Sequence, residues 1–374
     1  MELLVNFWYA HPVGHAVEAL RYCLGYHEGD HELEISLLLN GATATDLAAC
    51  CPFVRKTYAV DYVDFLGRTG DPDAALAAVP REWDYVLDDQ RSRQPSQLGF
   101  GGVRAFYQAS HRHFRARIRH GTAGSDPPAY VPNRRLRLEL PAELRQRVER
   151  ELGSTPVRIA LMPAGSSEPA RYPSVASWEL IAGALAAEFP EAVFCLVAKL
   201  ERDGRTSSSA TTEGLDRIAA AAGNVVRAVD LPLLEQLAYV EACSVFVSPH
   251  TGFGCAVLAV GTPWLALSGG PWHEWLFNGV PFWSVIPDTE RYPSFTQLGG
   301  QPEPVEDDGP RTPSMTRARI ERDLPELLEA ARVLVEGRLE YEDALRRYFP
   351  RLLEAYGGDR SRVFSFDGIH HAYI

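Results

Sequence analysis

The chain has 374 residues, 46% of them hydrophobic and 23% charged, the balance of a globular protein and not of a disordered one. At roughly one domain per ~150 residues, this length calls for two domains. Its 37 basic residues face 49 acidic ones, a net charge of −12. That excludes a bulk attraction for nucleic acid or an anionic membrane, so any bound phosphate must meet a local site.

Among the basic residues only Lys56 and Lys199 are lysine, the arginine-heavy usage of a GC-rich genome. The cysteines (Cys23, Cys50, Cys51, Cys195, Cys243 and Cys255) show no CxxC spacing, and most lie in apolar runs, where a free thiol behaves as a small hydrophobe. The start, MELLVNFWYAHPVGH, lacks the basic and long apolar regions of a signal peptide. No uncharged apolar run approaches the ~20 residues of a membrane span. A cytoplasmic protein is expected.

In chain order, Leu3–Trp8 is a β-rich run and His15–Leu24 carries apolar residues at helical spacing. Leu33–Leu39 reads as the second strand, Ala44–Cys51 as a helix, Val54–Val60 as the third strand, and Tyr85–Leu87 with its flanks as the fourth. Val103–Ile118 reads as a helix. The segment 124–141, rich in proline and arginine, marks a linker. A second series follows. Strands are expected at 157–163, 192–199, 225–228, 244–249 and 263–267, and helices at 174–189, 215–222, 233–242 and 254–260. Residues 317–356 read as amphipathic helix. Strands alternating with helices imply parallel sheets covered on both faces. The expectation is α/β: two Rossmann-like, doubly wound domains.

In such sheets ligands bind beyond the carboxyl ends of strands, where helix N-termini present N–H groups and a positive dipole end. Three strand-to-helix loops have the small residues for it: YAHPVGH (9–15), PAGSSEPARYP (163–173) and SPHTGFGCAVLAVGTP (248–263). In the last, Thr251-Gly252-Phe253-Gly254 offers a hydroxyl, two glycines and a helix start, a nest for a diphosphate. A dinucleotide fingerprint belongs after a domain's first strand, and this GxG follows about the fourth, so a dehydrogenase is not expected.

PAGSSEPARYPSVASWELIAGAL (163–185) and LLEQLAYVEACSVFVSPHTGFGCAVLAVGTPWLALSGG (233–270) resemble the phosphate loop and donor-binding stretch of the heptosyltransferase-like, family 9-type glycosyltransferases. That resemblance implies a GT-B fold of two facing Rossmann-like domains with a cleft between them. It divides the chain into an acceptor domain (1–125), a linker (126–150), a nucleotide-sugar domain (151–315) and C-terminal helices (316–374) packing back across the N-terminal domain. The implied activity is inverting, metal-independent transfer of a sugar from a nucleotide-diphosphate sugar to a small-molecule acceptor, with a natural-product (antibiotic) pathway in view. No cofactor is implied beyond the donor itself, with GDP- or ADP-sugars favoured. Residues expected at the diphosphate are Ser166, Ser167, Arg171, Lys199, His250, Thr251, Gly252, Phe253 and Gly254.

The family motif reads Asp-Ser/Thr-Gly-x-x-His, and here His250 and Cys255 replace its two ends. Family members carry Gly-Asp at the first helix; here Gly14 is followed by His15. His15 is therefore expected as the base, with His11 next, since imidazole accepts protons near neutral pH. Trp8, Tyr9, Trp272, His273 and Glu274 are expected at the sugar or acceptor. Rival readings are a GT-B epimerase or phosphorylase, and a homologue that binds nucleotide sugar without turning it over.

Other features are given no role. Asp71-Pro72-Asp73 spells a metal-binding DxD but follows no strand. His111 and His113, two apart on a helix, point away from each other. His370-His371 reads as tail. There is no GxSxG, HExxH or GxxxxGK[ST].

Overall fold

The computed structural model describes residues 1–8, 13–62, 70–120, 128–201, 207–267, 279–287, 289, 303–306, 308–363 and 372–374. They fall into two compact units, the first running to Glu139 and the second from Leu140.

The first unit runs β1 (Glu2–Phe7), α1 (Val13–Gly29), β2 (Glu34–Asn40), β3 (Val54–Val60), α2 (Pro72–Leu76), β4 (Glu82–Asp88), α3 (Pro95–Leu98), α4 (Gly101–His113) and β5 (Arg115–His120). All neighbouring strands are parallel, in the order β3-β2-β1-β4-β5. β1 and β2 are buried along their whole length after the first residue, as strands covered on both faces must be. On one face Leu4, Leu38 and Val86 meet Val103, Phe106 and Tyr107 of α4.

The second unit begins with α5 (Ala142–Leu152) and continues through β6 (Arg158–Leu161), α6 (Val175–Glu188), β7 (Val193–Ala198), α7 (Thr212–Ala222), β8 (Val225–Val229), α8 (Leu233–Glu241), β9 (Val245–Pro249), α9 (Gly252–Val260), β10 (Trp264–Leu267) and β11 (Phe282–Ser284). A short antiparallel pair, β12 (Glu303–Glu306) and β13 (Gly309–Arg311), precedes α10 (Arg317–Val335) and α11 (Tyr341–Ala355). The main sheet is parallel, in the order β11-β10-β9-β6-β7-β8. Hydroxyl side chains start its helices. Ser174, Thr211, Thr251 and Thr316 each accept the N–H three residues on, a contribution of about 1 kcal/mol apiece.

Several expectations change. The helix read over 103–118 stops at His113, and β5 follows it as an edge strand. Arg115, Arg117 and Arg119 there pair with Glu82, Asp84 and Asp88 of β4. The segment 126–150, read as linker, contains most of α5, which buries Val148 and Leu152 and packs on α8. Residues 44–51 form only a short 3₁₀ turn, Thr45–Cys50. The C-terminal helices belong to the second unit. α10 packs on α6 and on β9, β10 and β11, and α11 on β11, because Ile320, Leu327, Ala331 and Leu334 complete the second unit's core. All six cysteines are buried, and none is in a disulfide. No described helix is long and apolar enough to cross a membrane.

Candidate active site

In the second unit the chain leaves β6 toward β7 and β8, then crosses to β9, β10 and β11 on the other side. The boundary between β6 and β9 is thus the point where loops part to either side, the place where doubly wound sheets hold ligands. Two of the three loops singled out by composition meet there. Met162 follows β6 and donates its N–H to Val247 of β9 at 3.1 Å. A Cβ on Gly165 would come within 2.9 Å of Thr251 Cγ2 and 3.0 Å of the Tyr172 hydroxyl. Only glycine lets the two loops close to this distance. The Tyr172 hydroxyl takes the Ser167 N–H at 2.9 Å, and the Gly165 carbonyl takes the Ser209 N–H at 2.9 Å. Ser166 is exposed and Ser167 partly so.

Beside this loop, the Thr251 Oγ1 takes the Gly254 N–H at 3.1 Å. Gly254 therefore has no donor left for a ligand. Its glycine identity comes from packing, since a Cβ there would lie 2.6 Å from the Trp264 indole. Phe253 turns its ring inward, 6.0 Å from that of Phe246. The Thr251 hydroxyl in turn donates to Met162 Sδ at 3.8 Å, so what the turn can present is the first-turn N–H groups of Gly252 and Phe253, which have no intrahelical acceptor. Gly252 is exposed. His250, its ring 5.2 Å from Trp264, is held neutral, burial pushing its pKa down to about 4.

α6 is a second helix opening at the same edge, and its N-terminus is taken. Asp308 accepts the Val175 N–H at 3.2 Å while holding Arg311 at 2.6 Å. The two expected cations are also engaged. Lys199 lies between Asp230 and Glu201 at 3.9 and 3.8 Å, and Arg171 lies 3.9 Å from Glu168.

In the first unit the corresponding boundary lies between β1 and β4. His15 is on the first turn of α1, and its Nδ1 lies 2.9 Å from Glu18 Oε2. Trp8, expected at the sugar or acceptor, is a core residue of this unit. It is 1% exposed, with its indole stacked on Phe106 at 4.0 Å. Tyr9, His11, Trp272, His273 and Glu274 lie outside the described residues. Sequence reasoning missed Asp88, the last residue of β4. It accepts from Asn6 Nδ2 at 2.8 Å and lies 3.0 Å from Arg119 and 3.2 Å from His111 Nε2. The one available signal was an Asp-Asp pair at the end of a predicted strand. His113 turns away to the Val79 carbonyl at 2.8 Å. Asp71 caps α2, and Asp73 pairs with Arg112. Among the described residues no three His, Cys, Asp or Glu side chains converge as metal ligands would.

The chain was compared with known proteins. No protein-family model and no curated protein matches it. Solved structures do. A glycosyl transferase family 9 protein from Veillonella parvula, 12% identical, aligns over 90% of this chain and 97% of its own at a TM-score of 0.61. The E. coli ADP-heptose LPS heptosyltransferase II, 13% identical, aligns over 88% and 99% at 0.55. An E. coli heptosyltransferase with ADP, 11% identical, aligns over 87% and 100% at 0.54. The chain has the GT-B fold. At such identity the likeness is one of architecture. Within the GT-B fold, the β6 and β9 loops of the second unit and the start of α1 in the first are the segments the sequence singled out.

Proposed function

We propose that the protein is an inverting, metal-independent glycosyltransferase using a nucleotide-diphosphate sugar. The second unit would bind the donor and the first the acceptor. One observation carries the reading: at the β6/β9 boundary of a GT-B chain, the open helix N-terminus of α9 stands behind an exposed glycine and a hydroxyl. Such a terminus suits a diphosphate. It would also stabilise the charge that develops as the diphosphate leaves. The E. coli heptosyltransferase of similar fold carries ADP, which favours the same ligand class here. His15 is the proposed proton acceptor. In-line displacement at the anomeric carbon would then invert its configuration.

The first test is a thermal-shift comparison of UDP, GDP, ADP and dTDP, followed by affinities for the preferred nucleotide. Gly252→Val places a β-branched side chain on the exposed first turn and should weaken binding at least tenfold, about 1.4 kcal/mol. Unchanged affinity in a folded Gly252→Val protein would overturn the placement. His15→Ala should lower kcat by about 10²–10⁴-fold and leave nucleotide affinity intact. Donor consumed without any acceptor would point to an epimerase, and nucleotide binding with no turnover to a binding protein.

A further inference from the structure

His15 does not stand alone. Its Nδ1 lies 2.9 Å from Glu18 Oε2 across one turn of α1, and the carboxylate is 6% exposed where the imidazole is 26% exposed. An ionised carboxylate only accepts hydrogen bonds, so the hydrogen between the two belongs to Nδ1. In the neutral ring the lone pair then resides on Nε2. A buried carboxylate behind a more exposed imidazole is the arrangement in which the acid selects the tautomer, fixes the ring, and stabilises the imidazolium as it forms.

We propose that Glu18 is the positioning residue that makes His15 a base, and that the acceptor group it serves is an alcohol hydroxyl. This rests on the transferase reading above. A thiol, with a pKa near ~8.5, is already partly ionised at neutral pH and needs little help. An alcohol surrenders its proton only as the new bond forms, and needs a base held in place at that moment. In the step, the acceptor O–H proton moves to His15 Nε2 and the acceptor oxygen bonds the anomeric carbon. The bond from that carbon to the phosphate oxygen breaks, and its electron pair leaves with the diphosphate. Glu18 keeps its charge throughout and holds the Nδ1 hydrogen.

Two measurements test this. The first is ¹⁵N NMR of the histidine side chains at a pH where His15 is neutral, with His15→Gln for assignment. The wild-type His15 should carry its hydrogen on Nδ1. Glu18→Gln keeps the volume but adds an N–H donor, and should shift the ring toward the Nε2–H form. A wild-type ring protonated on Nε2, or a tautomer indifferent to Glu18→Gln, overturns the proposal. The wild-type spectrum needs no variant, so the test survives if Glu18→Gln does not fold. The second measurement is turnover of the sugar form of the preferred nucleotide with a methyl hexoside and with its 6-thio analogue. Glu18→Gln should lower kcat at least tenfold with the hydroxyl acceptor, change it far less with the thiol, and leave donor KM alone. Equal losses with both acceptors, or none, overturn the alcohol assignment. If the wild type turns over no nucleotide sugar, the transferase reading and the alcohol fall together. The NMR result then still decides whether Glu18 positions His15.

Discussion

His250 stands one residue before the turn that opens α9, with its imidazole packed toward Trp264 and its pKa pushed down to about 4 by burial. In the unfolded chain that pKa is ~6.5. Between these values the unfolded state binds a proton that the folded state refuses, so stability rises with pH across the window. The contribution is complete above about pH 6.5 and is lost as pH falls toward 4, with a ceiling of about 3 kcal/mol. Urea unfolding at several pH values should show this slope in the wild type and a flatter one in His250→Gln. Equal slopes would show that His250 titrates normally. Gly254 makes the complementary case. It reads as part of a phosphate nest, yet its missing side chain makes room for the Trp264 ring. Gly254→Ala should therefore cost about 1–3 kcal/mol of stability, as overpacking does, while Gly252→Val costs affinity. Denaturation midpoints and nucleotide affinities measured on the same two variants separate the roles.

At the level of elements, α6 and α9 both open toward the carboxyl edge of one sheet, and Asp308 distinguishes them. By accepting the Val175 N–H it occupies the start of α6. Asp308→Ala should cost up to about 1 kcal/mol of stability, as the loss of a charge at a helix start does. Nucleoside diphosphate affinity should hardly move, because α9 is the proposed phosphate site. A change of tenfold or more in calorimetry would shift the diphosphate toward α6. None of this was legible in the sequence, since Asp308 lies 133 residues from its partner. Glu18 was equally silent, because a glutamate at helical spacing from a histidine says nothing about its burial. The turn at Thr251 was legible. It depends on neighbours in sequence, a hydroxyl cap before small residues between two apolar runs. The strands were legible for a similar reason: β1, β2, β7 and β9, covered on both faces, read as largely apolar stretches. β5 failed that test. It is an edge strand, RARIRH, whose arginines find carboxylates on β4. α5 failed too, being a polar helix that buries only Val148 and Leu152.

On the scale of the whole molecule, a net charge of −12 repels a diphosphate everywhere except at local donors. Binding should then weaken less with added salt than it does for a basic surface that releases counterions. A helix terminus in place of a cation also makes a plain demand: turnover should persist in excess EDTA. Complete loss, restored by Mg²⁺ or Mn²⁺, would refute the metal-independent mechanism.

The scarcity of lysine has a practical sequel. A reagent that acylates primary amines, such as an N-hydroxysuccinimide ester, meets just two lysine side chains in this sequence, Lys56 and Lys199. Lys56 holds its ammonium over the Tyr58 ring at 4.6 Å, and Lys199 is 15% exposed between two carboxylates. A mass spectrum of the labelled protein is then nearly a map of one question. If a nucleotide draws Lys199 away from Asp230, the rate at which that single peptide gains its tag should change while the Lys56 peptide stays constant. Footprinting of this kind needs neither the sugar nor the acceptor, and it would report donor engagement at the end of β7 directly.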